Sequence, residues 1–358
     1  MTPDSLGILR SGRGPSGAIL ASPSFPVYRY SWLRDGAFIA EAFAASRERE
    51  AAKAFHRWAA ATVERFAHKV EALERRIPDP LTDADVLHPR YTEEGEEVDD
   101  PLWSNFQLDG HGFWLATLAR HVEAGIAEPA EVLGAVDLTT RYLRLLWDRP
   151  CADCWEEHDG LIHPTTLCAV AEGLLGAARL LDDPEPAETA RAALARVRER
   201  GLTSDGSLAK HEGVEDVDAS ALLVLGSLGP FEPDDAIVGA TLRRIEADLV
   251  ADGGGVHRYL DDGYYGGGLW VVLSGSLARV HALAGNSDRA REVLAWVEAT
   301  ADQDGALPEQ VSTHLRKPDL LPVWEARWGP VAKPLLWSHA MQVLARSALD
   351  QPEPPISS

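Results

Sequence analysis

Two carboxylates in unusual surroundings offer the first chemical lead. Glu156 and Glu157 stand side by side in Asp153-Cys154-Trp155-Glu156-Glu157-His158-Asp159-Gly160. Neighbouring negative charge and an apolar ring both raise a carboxyl pKa, which suits a proton donor near neutral pH. Paired glutamates are common on solvated helices, but a Trp-Glu-Glu run closed by Asp-Gly is not a helix-surface pattern. A third acid, Glu309, sits in Gly305-Ala306-Leu307-Pro308-Glu309-Gln310-Val311, where proline holds the backbone ahead of it. Glu156 and Glu309 are far apart along the chain and can meet only if the fold closes on itself. One protonated and one ionised carboxyl facing each other across a polar, aromatic pocket is the minimum equipment for glycoside hydrolysis.

Four further segments combine aromatic rings with hydrogen-bonding groups. Tyr28-Arg29-Tyr30-Ser31-Trp32-Leu33-Arg34-Asp35 precedes a helical stretch. Arg34 and Asp35 could be a helix cap with its ion pair, or a donor fork and two acceptors suited to the hydroxyls of a sugar. Trp103-Ser104-Asn105-Phe106-Gln107-Leu108-Asp109-Gly110 reads as a loop ended by an Asp-Gly turn. Arg258 to Trp270 carries Tyr259, Tyr264, Tyr265 and three consecutive glycines, which allow a tight turn or close approach to a ligand. No strand precedes those glycines, so they do not form a nucleotide-phosphate loop. Trp337-Ser338-His339-Ala340 opens the last helical stretch. No Ser-His-Asp pattern and no metal-spaced histidine cluster competes with these acids.

The elements that must position these segments are helices. Apolar periodicity predicts helices near 35–46, 50–68, 110–123, 129–147, 165–182, 187–200, 218–228, 234–250, 269–284, 287–300 and 335–349. Phe55, Trp58, Thr62 and Phe66 share one face of the second. The helices fall into pairs, with the chemistry-bearing segments in the joints between pairs. The two longest joints, about 70–108 and 301–333, have the length of functional loops. The pairs show no mutual similarity, which disfavours an open solenoid serving as a protein-binding scaffold. A closed ring of pairs, with its loops around one pocket, fits better. No composition shift marks a boundary, so residues 1–350 read as one domain and the Pro-rich 351–358 as a tail.

Composition narrows the function classes. The 358 residues carry a formal charge of −22, which argues against nucleic-acid backbones and anionic membranes as partners. No apolar run of ~18 residues exists and the first twenty residues do not resemble a leader, so the chain reads as cytoplasmic. Three cysteines are too few for a disulfide framework. Cys151 and Cys154 form one C-x-x-C, but a structural zinc needs four ligands, and buried thiols are the better reading. Eleven tryptophans are many for this length, and indole rings serve either as core filling or as platforms for sugar faces.

In order along the chain, YxYxWxRD, QLDGxG, WEExxG, RYxxDxYYxGGxW, LPEQ and WSHA resemble glycoside hydrolase family 15, the glucoamylases and their bacterial relatives, from about Ser16 to Ala345. The resemblance implies an all-α (α/α)6 barrel, no cofactor or metal, and hydrolysis with inversion that releases β-glucose from non-reducing ends. It implies that Glu156 is the general acid and Glu309 the general base, about 6.5–9.5 Å apart to admit a water. Arg34 and Asp35 would grip the terminal glucose, Glu157 would bind the neighbouring sugar, and Arg258 would add a further substrate contact. Trp103 would pack over the acid, and Tyr28 would line the side of the attacking water. Trp32, Trp155, Trp270 and Trp337 complete the expected substrate-binding set. The chain carries neither the β-sandwich nor the starch-binding module often found in the family, and eleven helices are one short of a full double ring. Short internal substrates, isomaltose or small maltooligosaccharides, therefore fit better than granular starch. A trehalase of the same family and a non-catalytic sugar-binding protein are the alternatives.

Overall fold

A computed structural model describes residues 4–98, 100, 103–251 and 253–350 of the chain. The expected tail at 351–358 lies outside the described residues. Thirteen α-helices are present among them: α1 (Ser5–Ser11), α2 (Leu33–Ala45), α3 (Arg49–Arg65), α4 (Ala67–Arg75), α5 (Asp109–Glu123), α6 (Leu133–Leu146), α7 (Pro164–Leu181), α8 (Glu185–Arg200), α9 (Ala236–Asp248), α10 (Val271–Leu283), α11 (Ser287–Ala299), α12 (Leu321–Trp328) and α13 (Leu336–Asp350). Four two-residue strands, β1 (Ser31–Trp32), β2 (Arg90–Tyr91), β3 (Leu269–Trp270) and β4 (Gln310–Val311), form two antiparallel ladders, β1 with β2 and β3 with β4.

The packing closes into a double ring. Helix α2 packs on α5, α5 on α7, and α7 on a short 3-10 helix at Ala219–Leu223. That turn packs on α10, α10 on α13, and α13 returns to α2. Helices α3, α6, α8, α9, α11 and α1 lie outside, each against its inner neighbour. The fold is an (α/α)6 barrel. The sequence reflects the two positions. Inner helix α2 is buried without a break from Leu33 to Phe43, whereas α3 buries a stripe that includes Phe55, Trp58, Thr62 and Val63. A helix apolar all round belongs inside, and a striped one belongs at the surface. The closest inner contact is made without side chains. A Cβ on Gly112 would stand 2.5 Å from the Ala169 backbone, and one on Gly173 would stand 2.5 Å from the Gly112 carbonyl oxygen. These two glycines let α5 and α7 cross backbone to backbone.

Several expectations need correction. The helix expected at 218–228 is only the 3-10 turn at Ala219–Leu223, so one inner position of the barrel has no α-helix. The missing outer helix is α1, a short segment capped by Asp4, whose Oδ1 accepts from the Gly7 N–H at 3.0 Å. The helix expected at 50–68 breaks at Phe66 and continues as α4, which shortens the 70–108 joint. The 301–333 joint contains α12. Among the described residues no helix is long and apolar enough to cross a membrane. Cys151, Cys154 and Cys168 are free and buried.

Candidate active site

The loops at one end of the barrel enclose a cavity of about 200 Å³, compact beside the ~300–1,000 Å³ of most small-molecule sites. Glu156 and Glu309 both line it, together with Tyr28, Trp32, Arg34, Asp35, Trp103, Trp155, Glu157, Arg258, Trp270 and Trp337. Every site residue selected from the sequence therefore reaches this one cavity.

Asp153 shapes the turn that presents Glu156. Its Oδ1 accepts from the Trp155 and Glu157 N–H groups at 2.9 and 3.0 Å, and the Glu156 N–H donates to its carbonyl at 2.9 Å. Glu156 takes a left-handed backbone with φ 67°, a strained conformation for a residue with a side chain. The turn is pinned sideways where the Trp155 indole donates to Asp218 at 3.0 Å. The Trp32 indole donates to Glu156 Oε1 at 2.6 Å. Burial pushes the Glu156 carboxyl above its ordinary range, opposed by Arg34, Arg90 and the bonds from Trp32 and Gln107.

Glu309 is held by backbone on both sides. Its N–H donates to the Ala332 carbonyl at 2.9 Å, and its carbonyl accepts from Val271 at 3.0 Å, beside the pairing of Trp270 with Gln310. The segment opening α13 supports this loop from behind. Ser338 Oγ donates to the Pro308 carbonyl at 2.9 Å, and the Leu307 N–H donates to His339 Nε2 at 2.9 Å. His339 must be unprotonated at Nε2 to accept that bond, and burial holds its pKa down to about 4. Glu309 is 3% exposed. Its Oε1 accepts from the Tyr28 hydroxyl at 3.0 Å, while Oε2 has no hydrogen-bond partner among the described residues. The Tyr264 hydroxyl lies 2.6 Å from that of Tyr28, so with Tyr28 donating to Glu309, Tyr264 donates to Tyr28. Burial pushes the Glu309 carboxyl up to about 8, against the pull of Tyr28 and Arg258.

The remaining polar groups divide into two clusters. Arg34 Nη1 donates to Gln107 at 3.3 Å and Asp109 at 3.2 Å, its Nε lies 3.4 Å from Asp35, and its guanidinium stacks 5.3 Å from the Trp337 ring centre. The Asp35 carboxyl is pushed up to about 6 by burial, with Arg34 opposing. On the other wall, Arg258 donates to Asp262 at 2.9 Å and to Glu157 at 3.1 Å, and Tyr259 donates to Glu157 at 2.5 Å. Asp35 Oδ1, Trp270 Nε1, Trp337 Nε1 and Glu309 Oε2 are polar atoms of lining residues with no hydrogen-bond partner among the described residues, which suits a ligand rich in hydroxyls.

Sequence reasoning missed several participants. Tyr264 is one ring among several in its motif, and nothing in the motif shows that it orders Tyr28. Trp324, Arg327 and Trp328 of α12 line the cavity, and Trp328 stacks on Trp103 with centroids 5.7 Å apart and planes 9° apart. Arg90 lies beneath Trp32 and Trp103. The density of tryptophan after Glu309 was the only available sign of α12. Among the described residues no group of three or more His, Cys, Asp or Glu side chains could hold a metal ion.

Comparison with known proteins adds four findings. The profile described as glycosyl hydrolases family 15 matches residues 8–303. That match ends short of Glu309. An isomaltose glucohydrolase of Kribbella flavida is 38% identical over 344 residues, covering 93% of this chain and 88% of that protein. A glycosidase variant solved in complex with glucose is 36% identical with a TM-score of 0.90, covering 97% of this chain and 95% of that one. A bacterial glucoamylase solved with acarbose shares the fold at a TM-score of 0.71 and 20% identity, over 96% of this chain and 54% of that one.

Proposed function

This chain belongs to glycosyl hydrolase family 15, and on that footing we propose that it is an inverting, exo-acting α-glucosidase that releases β-glucose from short α-glucosides, with isomaltose preferred. The observation that carries this reading is the placement of Glu156 and Glu309 on one compact cavity in contrasting surroundings. Glu156 donates its proton to the glycosidic oxygen, and the C1–O bond breaks with its electron pair going to the leaving group. Glu309, in its ionised form, takes a proton from a water that attacks C1 from the opposite face. The free Oε2 of Glu309 is the acceptor for that proton, and Tyr28 holds the other oxygen.

Arg34 and Asp35 bind the terminal glucose through a paired donor and acceptor, which a ring bearing hydroxyls on successive carbons can bridge. Glu157, fixed by Arg258 and Tyr259, accepts from the sugar that leaves. Trp32, Trp103, Trp155, Trp270 and Trp337 supply apolar walls for sugar faces and exclude bulk water. The preference for isomaltose is supported by the identity with the Kribbella flavida enzyme, and the cavity's small volume supports short substrates. Residues 1–350 act as one catalytic domain in this reading, supported by an apolar core that runs from Leu9 to Ala345. Three free, buried thiols support a cytoplasmic setting.

Isomaltose, maltose and trehalose assayed side by side test the proposal, with proton NMR following the first-formed glucose anomer. The expected result is β-glucose, fastest from isomaltose, with turnover lost in Glu156→Gln and Glu309→Gln. α-Glucose as first product excludes inversion, and trehalose as best substrate selects the trehalase reading. Binding of glucosides without turnover selects a sugar-binding protein.

A further inference from the structure

Behind the ring that holds Glu156 lies a buried cation. Arg90 is 1% exposed and pairs directly with Trp32 in the β1–β2 ladder. Its guanidinium carbon is 4.5 Å from the Trp103 ring centre, 5.3 Å from that of Tyr30 and 5.4 Å from that of Trp32. Asp100 stands 3.6 Å from Nη2, and among the described residues none of the three guanidinium nitrogens has a partner at hydrogen-bond geometry. Stacking a cation on aromatic rings is only modestly favourable. Removing a cation from water is costly unless it is fully paired. A methionine or leucine would fill the same space without that penalty. The charge itself therefore needs an explanation.

The ladder supplies one. Trp32 connects Arg90, on one side of its indole, to Glu156, whose Oε1 accepts from Trp32 Nε1 at 2.6 Å. When Glu156 gives its proton to the glycosidic oxygen, a negative charge appears in a site with little water. We infer that Arg90 is a positioning residue that fixes Trp32 against Glu156 and whose incompletely neutralised charge stabilises the carboxylate left after proton transfer. Preorganised charge aimed at a developing anion is the most effective form of electrostatic catalysis.

Of the other groups facing Glu156, Arg34 also favours its ionised form, and more strongly than Arg90. Arg34 of α2 lies between Asp109 and Asp35, which offset its charge. Asp35 itself, acting from the same helix, disfavours a second negative charge, and the Tyr28 hydroxyl faces Glu309 as well. Gln107, ahead of α5, is neutral and already bound to Arg34. On its own side, among the described residues, Arg90 meets the rings of Tyr30, Trp32 and Trp103 and the carboxylate of Asp100. The role of Arg90 rests on the glucosidase reading above.

The test compares wild type with Arg90→Met, Arg90→Gln and Arg90→Lys. Two readouts are used: the pH dependence of kcat and KM on isomaltose, and the ionisation of Glu156 by infrared difference against Glu156→Gln. In Arg90→Met, kcat is expected to fall about tenfold to a hundredfold, less than for loss of a direct oxyanion donor, with KM changed by no more than about twofold. The alkaline limb and the Glu156 titration should both move up by about one pH unit. Arg90→Lys, which keeps the charge, should leave both midpoints in place. A fall in kcat with unmoved midpoints assigns Arg90 to packing alone and overturns the inference, as does failure of both neutral variants to fold. Absence of wild-type turnover on any α-glucoside is instead a failure of the functional reading. The infrared titration needs no substrate and decides on Arg90 in that case too.

Discussion

Glu309, the proposed general base, should make the folded protein less stable as pH rises, and Glu309→Gln should remove that penalty. In the folded state burial raises the Glu309 carboxyl to about 8 from an ordinary value of 4.5. Below the unfolded value both states hold the proton and pH has no effect. Between 4.5 and about 8 the unfolded chain releases the proton while the folded chain retains it, so the unfolded state binds fewer protons and stability declines with rising pH. Above that window the full penalty stays in place. A separation of one pH unit between the folded and unfolded midpoints corresponds to about 1.36 kcal/mol, so the whole window has a ceiling of roughly 5 kcal/mol.

Glutamine has nearly the same shape and cannot ionise. Unfolding by urea at pH 4.5, 6 and 8 should show the variant gaining on wild type by a few kcal/mol between the first pH and the last. The difference at pH 4.5, where the unfolded carboxyl is only half ionised, reports mainly packing and serves as the internal reference. Asp35 and Glu156, whose pKa values are also raised, remain in both proteins and largely cancel. A stability difference independent of pH would refute the reasoning, because it would mean that Glu309 ionises as readily inside the cavity as outside.

Tyr28→Phe removes the hydroxyl that favours ionised Glu309. A hydrogen bond to a charged group contributes about 1.5–3 kcal/mol, so the acid limb of kcat/KM should rise by about one to two pH units, with activity at pH 6 falling more than at pH 8. His339→Ala takes away the acceptor for the Leu307 N–H beneath the Glu309 loop; about 1–3 kcal/mol of stability should be lost in thermal unfolding, with kcat falling more than KM rises. Trp328→Ala opens the outer edge of the cavity where Trp328 stacks on Trp103. The ratio of kcat/KM for maltotetraose over isomaltose should rise several-fold, and an unchanged ratio would show that α12 does not limit substrate length.

The candidate site was legible because its chemistry is concentrated in short segments. A Trp-Glu-Glu turn, an Arg-Asp at a helix start and a Pro-Glu in a long joint are each readable without knowing the fold. Closure of the ring then brings them together. What escaped reading is what only tertiary contact defines. The run from Ala219 to Leu225 is wholly buried and apolar apart from Ser220, and a buried helix cannot be told from a buried irregular segment by periodicity. Gly226, Gly229 and Pro230 were the available warning. Helix α3 ends at Phe66 with no glycine or proline to mark the break. Helix α12 has no fully buried residue and hence no apolar face to register. By sequence Arg90 is one basic residue in the 70–108 joint; only the pairing of β2 with β1 places it behind Trp32.

On the proposed mechanism the two glutamates show how one barrel can give the same side chain opposite tasks. Glu156 projects from a left-handed turn, partly open to the cavity, with an indole donor on one oxygen and two arginines in its field. Its surroundings favour the charge it acquires after giving up a proton, while burial keeps that proton in place beforehand. Glu309 is buried, clamped through its backbone, and bonded at one oxygen by a tyrosine that a second tyrosine orients. The oxygen left without a partner can receive a proton only from something in the cavity. Burial raises both carboxyls, so burial alone cannot separate acid from base. The two differ in their donors: indole and guanidinium behind Glu156, phenol beside Glu309. Exchanging the two glutamates for aspartates would shorten each reach while leaving those donors unchanged, which separates the role of distance from the role of electrostatics.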